Sequence, residues 1–217
     1  MSRILIILTL IAGLSLQAEE GFKDLFNGKD LTGWENPFDW GKADVKDGEI
    51  HLTTDKKKFF LVTTEKFKDF VFEAEIKMPE GKSNSGLMFR CHKQKNKIWG
   101  YQAECDPSDR RWSGGLYDEA RRKWMNPPKD LKPKEGTAYE KNLSGEWDEK
   151  KLGALKRHDW NKYRIECKGS EIKITVNGVL TTHVIDTTDS EGYLAIQHHG
   201  EKGKIYRFRN IRVKELK

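Results

Sequence analysis

Residues 84–122 read NSGLMFRCHKQKNKIWGYQAECDPSDRRWSGGLYDEARR, and the alternation within this stretch predicts paired strands. Successive side chains of a strand point to opposite faces, so residues 87–92 predict a strand with one apolar and one charged face. The apolar face holds Leu87, Phe89 and Cys91, and the opposite face holds Met88, Arg90 and His92. After a polar loop at residues 93–97, the alternation resumes over residues 101–106. We therefore predict an antiparallel hairpin with a long loop.

The polar face of this hairpin, and the segment that follows it, collect chemically varied side chains. The second strand places Gln102, Glu104 and Asp106 on the face opposite to Tyr101, Ala103 and Cys105. A Gly-Gly pair at 114–115 then leads into LYDE at 116–119, followed by Arg121 and Arg122. We interpret this mixture of acids, amides, a phenol and cations as a candidate site. The alternative is a solvated face crossed by ordinary ion pairs.

Alternation with a period of two continues through most of the chain. Residues 70–78 place five apolar side chains on one face, and the opposite face holds Val71, Glu73, Glu75 and Lys77. Residues 163–176 repeat the alternation before a two-residue turn at Asn177-Gly178. In the last strand the apolar frame changes between Phe208 and Ile211, which predicts a bulge near Arg209-Asn210. Many short strands, frequent turn signals and little helix predict an all-β fold, an antiparallel sandwich of two sheets.

The first eighteen residues have the character of a secretory signal peptide. Arg3 gives a basic start, residues 4–16 form an apolar run, and Ala18 offers a small residue for cleavage. The run is shorter than the roughly twenty residues that span a bilayer, so we predict cleavage rather than a stable membrane anchor. We expect export to the periplasm or the extracellular space. Residues 19–217 are long enough for one large β domain.

The charge and the cysteines exclude some classes of function. The formal net charge is +6, but the basic residues are scattered among many acids instead of forming one basic face with stacking aromatics. Nucleic-acid binding is therefore not expected. The three cysteines, Cys91, Cys105 and Cys167, fall on apolar faces and have no C-x-x-C spacing. We interpret them as buried thiols, with a Cys91–Cys105 disulfide as the alternative.

The least regular part of the chain runs from residue 123 to residue 159. Its prolines and dense charges predict a long loop, with a short helix near residues 148–155. Such a loop can form a wall or lid beside a sheet face. Trp124, Tyr139 and Trp147 are candidates for stacking on a sugar ring, and the alternative for each is that it anchors its own loop.

Several motifs, taken in their order along the chain, resemble the 3-keto-disaccharide hydrolase family. Within the opening stretch they are NSG at 84–86, FR at 89–90, GYQAE at 100–104, GLYDE at 115–119 and RR at 121–122. Outside it they are FKDLFNGKDLTGW at 22–34, WNKYRI at 160–165, NG at 177–178, QHHG at 197–200 and FRNI at 208–211. The resemblance covers nearly all of the chain after the predicted signal peptide.

The resemblance implies a fold and a substrate. The implied fold is a jelly roll of the concanavalin A-like lectin and glucanase type, two curved antiparallel sheets with the ligand on the concave face. The implied substrate is a carbohydrate, a disaccharide or glycoside already oxidised to a ketone at C3. Such a ketone acidifies the C2 proton, so a base can remove that proton and the group at C1 can leave, after which water adds.

This chemistry needs a base, a group that stabilises the enolate and an acid for the leaving group. Our hypothesis assigns Glu104 or His199 as the base, Arg90 with Gln102 as enolate or hydroxyl binders, and Tyr117 or Glu119 beside the leaving oxygen. Substrate-binding roles are also assigned to the polar neighbours of these residues, namely Asp118, Arg122 and His198. We expect Arg90, Gln102, Glu104, Tyr117 and either His199 or His198 to converge on one concavity.

No cofactor is required by these motifs, and no metal site is assigned. A divalent cation remains an option, because Glu104, Asp106, Asp118 and His199 offer oxygen and nitrogen ligands. The sequence carries no indication of the oligomeric state.

Two other functions fit the same fold. Glu104-x-Asp106-x-x-Asp109 is similar to the acidic strand of laminarinase-type glucanases, although Pro107 interrupts it. A non-catalytic carbohydrate-binding module would need the aromatics and amides but no proton-transfer group.

Overall fold

The computed structural model describes residues 21–55, 57–127 and 140–217. The predicted signal peptide at 1–18 and Tyr139 lie outside these ranges. Nowhere in the described ranges is there a helix long and apolar enough to cross a membrane.

The regular elements of the described chain are strands, apart from one short helix. The strands in chain order are β1 (Lys23–Asp24), β2 (Trp34–Glu35), β3 (Lys42–Lys46), β4 (Glu49–Thr53), β5 (Phe59–Phe67), β6 (Phe70–Lys77), β7 (Ser85–Gln94), β8 (Lys97–Cys105), β9 (Leu116–Glu119), β10 (Lys123–Asn126), β11 (Lys141–Asn142), β12 (Trp160–Lys168), β13 (Glu171–Val176), β14 (Val179–Ile185), β15 (Gly192–His198) and β16 (Tyr206–Glu215). The helix α1 spans Glu149–Leu152, and the Asp148 side chain caps it by accepting from Lys151 N.

The strands form two sheets. A nine-stranded sheet has the order β11-β14-β13-β12-β6-β16-β4-β3, with β1 paired to β16 beside this path. A seven-stranded sheet has the order β10-β9-β8-β7-β15-β5-β2. Every pairing between the described strands is antiparallel. The prediction of an all-β antiparallel sandwich is confirmed.

One large core joins the two sheets. In β12 the buried Tyr163, Ile165 and Cys167 alternate with more exposed residues, as the period of a strand requires. The facing side chains of the seven-stranded sheet include Phe89, Tyr101 and other residues with no exposed surface. Burying each large apolar side chain contributes about 1.5–3 kcal/mol, so this core holds the sheets at a fixed separation.

A second, smaller apolar cluster covers part of the opposite face of the seven-stranded sheet. It consists of Phe60, Val62, Met88, Cys91, Ile98 and Ala195. The same face also carries Gln102 and Glu104, which alternate along β8 with the core residues Tyr101, Ala103 and Cys105. This outer face of the seven-stranded sheet is therefore partly apolar and partly polar.

The predicted alternation along β7 is wrong at Arg90. The register between β7 and β8 shifts between Phe89 and His92, and Arg90 has a left-handed φ of 44°. This β-bulge separates Cys91 from the face of Phe89 and puts it beside Met88 in the smaller cluster. The Arg90 side chain itself is fully buried.

The Arg90 guanidinium ties together turns at one end of the sandwich. It donates to the carbonyl oxygens of Lys68, Gly169 and Asp189, and it pairs with Asp69 Oδ1 at 3.0 Å. All of the guanidinium N–H donors are thus directed at protein acceptors, and Arg90 has a structural role.

Other local predictions have mixed outcomes. The Asn177-Gly178 turn and the bulge between Arg209 and Arg212 are confirmed. The loop of the central hairpin is shorter than predicted, because β7 and β8 continue to Gln94 and Lys97. Asn96 tolerates the left-handed conformation that such a tight turn requires, with φ of 61°. Cys91, Cys105 and Cys167 are free and buried, so the disulfide alternative is wrong.

We expect Arg90→Met to lower the free energy of unfolding by about 3 kcal/mol or more, because it leaves several buried carbonyls without a donor. Urea denaturation measures this change. Arg157→Met is the matched control, since Arg157 forms an exposed pair with Asp109 and its loss should change stability by about 1 kcal/mol or less. Equal losses in the two variants would contradict the structural role of Arg90.

Candidate functional site

A polar cavity of about 280 Å³ lies on the outer face of the seven-stranded sheet. Five of the predicted site residues line it: Gln102, Glu104, Tyr117, Glu119 and His199. Trp124, predicted as a candidate for sugar stacking, also lines it. Four further lining residues were not predicted for the site: Lys58, Asn84, Arg110 and Gln197. The cavity thus combines two acids, two cations and three amides.

The Glu104 carboxylate lies at the centre of the hydrogen bonds in this cavity. Asn84 Nδ2 donates to Glu104 Oε1 at 2.5 Å, and Gln102 Nε2 donates to Oε2 at 2.9 Å. Burial raises the pKa of Glu104 above its ordinary value, although these two hydrogen bonds act in the opposite direction. A carboxyl of raised pKa that is held in one orientation suits general acid–base work.

The two glutamine side chains form a chain of hydrogen bonds that ends at Glu104. Gln197 Nε2 donates to Gln102 Oε1 at 3.1 Å, and Gln102 Nε2 donates onward to Glu104. Because an ionised carboxylate only accepts hydrogen bonds, it fixes the orientation of both amides. Gln197 Oε1 is then left as a buried acceptor without a partner, the only such side-chain atom found in the part of the chain that the structure describes. This oxygen needs a donor from a ligand or from water.

Gly86 makes this chain possible. Gln102 lies on β8 and Gln197 on β15, and β7 runs between these two strands. Gly86 lies in β7 opposite Glu104, and a Cβ atom there would come within 2.4 Å of Gln102 Cδ. The missing side chain therefore leaves the space in which the two amides meet above the intervening strand.

Arg110 is held against Glu104 by aromatic rings and a second acid. Its guanidinium carbon lies 4.5 Å from the centroid of Trp124 and 5.0 Å from that of Trp112. Its Nε donates to Asp106 Oδ2 at 2.7 Å, and Nη2 lies 3.5 Å from Glu104 Oε1. These contacts fix a cation at the edge of the cavity.

A second ion pair and a phenol complete the wall of the cavity. Lys58 Nζ lies 2.5 Å from Glu119 Oε1, and Glu119 is 7% exposed. Burial, together with the nearby carboxylates of Glu119 and Glu104, raises the pKa of Tyr117. Because its pKa is raised, Tyr117 keeps its hydroxyl proton at neutral pH. The Tyr117 ring packs edge-on against Trp124, at 5.4 Å between centroids.

His199 is connected to Glu104 through a path of hydrogen bonds. His199 Nδ1 lies 2.8 Å from Glu201 Oε1, and Tyr206 Oη donates to Glu201 Oε2 at 2.6 Å. The Asn84 backbone N–H donates to Tyr206 Oη, while the Asn84 side chain donates to Glu104. Burial raises the pKa of Glu201, but its bonds with His199 and Tyr206 outweigh this, and the pKa is lowered. In neutral His199, Nδ1–H therefore faces Glu201 and Nε2 is the acceptor nitrogen.

Four of the predicted site residues lie outside this cavity, and the expected convergence is corrected for them. Arg90 is buried at one end of the sandwich, as described above. Asp118 has no exposed surface and pairs with Arg121 and Arg122, and Arg122 also pairs with Asp186. His198 is fully buried, and its Nε2 lies 3.1 Å from the Lys204 carbonyl oxygen.

Two of the four missed residues had a signal in the sequence, and two did not. Asn84 and Gln197 belong to the motifs NSG and QHHG quoted above. Lys58 and Arg110 lie in connecting segments, where there is no alternation from which a facing direction can be read. Trp124 belongs to the short strand β10 instead of the predicted long loop. Trp147 donates through Nε1 to the Arg111 carbonyl and anchors its own segment.

The acidic motif that is similar to a glucanase strand is not assembled in this cavity. β8 ends at Cys105, before Pro107. The Asp106 carboxylate accepts hydrogen bonds from the Ser108 backbone N–H and from Arg110 Nε. Asp109 is exposed and pairs with Arg157. Among the described residues, no three His, Cys, Asp or Glu side chains are grouped so that they could hold a metal ion. A divalent cation stays an untested prediction.

Residues 21–214 match the sequence profile of the 3-keto-alpha-glucoside-1,2-lyase-like domain. A comparison with curated proteins found no match.

Solved structures similar to this chain share its fold at low sequence identity. The carbohydrate binding module CBM66 from Bacillus subtilis is 17% identical with a TM-score of 0.57, covering 84% of this chain and 96% of its own. A candidate glycosyl hydrolase from Parabacteroides distasonis ATCC 8503 is 17% identical with a TM-score of 0.59, covering 91% and 95%. A Bacillus subtilis protein with a galectin-like fold is 12% identical with a TM-score of 0.59, covering 89% and 94%. These likenesses agree with the predicted lectin-type jelly roll.

We expect Gly86→Ala to lower the free energy of unfolding by about 1–3 kcal/mol, because the new methyl group collides with Gln102. The same change in a Gln102→Ala background should be much less destabilising, since the colliding side chain is gone. Urea denaturation of the two single variants and the double variant measures this coupling. An equal effect of Gly86→Ala in both backgrounds would show that the gap above β7 is not what Gly86 provides.

Proposed function

The chain belongs to the 3-keto-alpha-glucoside-1,2-lyase-like domain family, and we propose that it cleaves glycosides whose C3 is a ketone. One observation carries the proposal. A buried carboxylate of raised pKa, Glu104, lies in a cavity that Gln197 also lines, and the buried Gln197 Oε1 has no hydrogen-bond partner. A polyhydroxylated ring satisfies the acceptor, and an acidified C–H bond gives the carboxylate a proton to remove.

The reaction follows from the acidity that the C3 ketone confers on C2–H. A base takes the C2 proton, and the electrons of the C–H bond pass into an enolate whose charge rests on the C3 oxygen. The enolate then expels the aglycone oxygen from C1, which forms a C1–C2 double bond, and the aglycone receives a proton. Water adds across this double bond, with hydroxyl to C1 and a proton to C2. The products are the free 3-keto-sugar and the aglycone.

Glu104 is the proposed base. Asn84 and Gln102 hold both of its oxygens, so the carboxylate does not need to reorganise as the proton arrives. Its raised pKa brings it closer to the acidity of the substrate and to neutral pH, where general bases work best. His199, oriented by Glu201, is the alternative base.

Arg110 takes the role that the sequence analysis assigned to Arg90. It is a permanent cation within 3.5 Å of the Glu104 carboxylate and is fixed by Asp106. We assign it to the enolate oxygen, where a positioned positive charge is most effective. Gln197 Oε1 accepts a hydrogen bond from a ring hydroxyl in this scheme. Tyr117, which stays protonated, and Glu119 are assigned to the leaving oxygen, in keeping with the earlier hypothesis.

We expect the purified protein to release a 3-keto-sugar from a 3-keto-disaccharide and to leave the unoxidised parent disaccharide intact. In D₂O the elimination route places deuterium at C2 of the product, because that position is protonated from solvent. Mass spectrometry measures the label, and product incubated alone in D₂O corrects for spontaneous exchange. Cleavage of the parent sugar, or product without enzyme-dependent label, would favour a conventional hydrolase. Tight sugar binding without any cleavage would favour a binding module.

We expect Glu104→Gln to lower kcat by about a hundredfold or more if Glu104 transfers the proton. In the unchanged protein, kcat/KM should fall as the pH drops through the pKa of Glu104, which lies above the ordinary value of a glutamate. Stopped assays across the acidic range measure both quantities. Asp109→Asn, which neutralises an exposed carboxylate outside the cavity, is the matched control. A near-normal rate in Glu104→Gln, with the loss appearing in His199→Ala, would move the base to His199.

A further inference from the structure

A second cavity, of about 260 Å³, adjoins the first on the same outer face of the sheet. The two cavities share Lys58 and Glu119, whose ion pair forms the boundary between them. Phe60 and Ile98 of the smaller apolar cluster lie along the second cavity, together with Phe38 and Trp40. None of these four apolar residues was part of the predicted site.

The lining of the second cavity differs from that of the first. Trp40 and Phe38 pack against each other at 5.2 Å between ring centroids, and both rings are half-buried. Trp40 Nε1 donates to the Lys58 carbonyl at 3.0 Å, which fixes the indole beside the shared ion pair. Lys57, Asn96 and Lys97 add polar groups to the lining, and Lys57 Nζ lies over the Trp40 ring, 3.7 Å from its centroid. Apolar rings with a few polar groups around them match a sugar ring, which has both C–H faces and hydroxyls.

The volumes of the two cavities also indicate that one ligand occupies both. Sites for small molecules usually enclose about 300–1,000 Å³, and each cavity alone falls slightly below this range. Together they fall within it. A ligand of two linked rings uses both cavities, with the linkage crossing the Lys58–Glu119 pair.

We propose that the second cavity binds the leaving group of the substrate, a second sugar ring or an aglycone of similar size. This inference rests on the proposed function, which places the oxidised ring beside Glu104 in the first cavity. The glycosidic oxygen then lies at the shared boundary, within the reach of Glu119. Contacts to the leaving ring supply binding energy away from the reacting carbons, and that energy positions C2 against the base.

The test compares two substrates that share the oxidised ring, a 3-keto-disaccharide and methyl 3-keto-glucoside. Trp40→Ala removes the aromatic wall. Ala120→Trp fills the cavity from an exposed position that lines it. Trp160→Ala is the matched control, because Trp160 packs against Arg209 on the other sheet. Both cavity variants should lower kcat/KM for the disaccharide about tenfold and leave the methyl glycoside within about twofold, since only the former has a second ring to lose.

Equal losses on both substrates, or no loss on either, would overturn the inference, as would a wild-type protein that shows no preference for the disaccharide. If the wild-type protein cleaves neither compound, the proposed function fails, and calorimetric titration with the 3-keto-disaccharide then decides the subsite. Binding that is weakened by Trp40→Ala and Ala120→Trp but not by Trp160→Ala supports it. Binding that is unchanged in all three variants overturns it.

Discussion

The gap above Gly86 is the constraint on which the site depends. Because β7 carries no side chain at this point, Gln102 and Gln197 can meet across it and hold Glu104 in one orientation. In this arrangement Gln197 Oε1 is buried and has no hydrogen-bond partner, and Gln197 lines the cavity. The site is therefore built on the sheet itself, and the packed core behind β8 limits how far its groups can move.

Each cationic or imidazole side chain that follows lies against at least one acidic partner on the same face. Arg110 lies against Glu104 and Asp106, Lys58 lies against Glu119, and His199 lies against Glu201. Each potential proton carrier or charge stabiliser thus has a partner that fixes its position, as preorganised catalysis requires. The boundary pair, Lys58 with Glu119, also divides the face into a polar cavity and an aromatic one. This division matches a substrate whose reacting ring and leaving ring make different demands.

The sequence predicted the fold and about half of the cavity, for identifiable reasons. The period of two along β8 correctly placed Gln102 and Glu104 opposite the core, because alternation is a property of the backbone. The same reasoning failed at Arg90, where a β-bulge adds a residue to β7. The alternation of apolar and polar side chains in the sequence does not indicate such a bulge. The alternation also could not show which of His198 and His199 lines the cavity. β15 ends at His198, and the position of this end determines which of the two neighbours is buried. Lys58 and Arg110 come from connecting segments, whose paths depend on tertiary contacts.

In the proposed reaction a 3-keto-sugar binds with C2 facing Glu104. The most direct measurement is a crystal structure of the Glu104→Gln variant soaked with a 3-keto-disaccharide, in which turnover is slowed enough to trap the complex. We expect C2 at about 3–3.5 Å from a side-chain terminal atom of residue 104, the distance expected before proton transfer, with a ring hydroxyl on Gln197 Oε1. A sugar bound on another surface, or one whose C2 is turned away from residue 104, would contradict it.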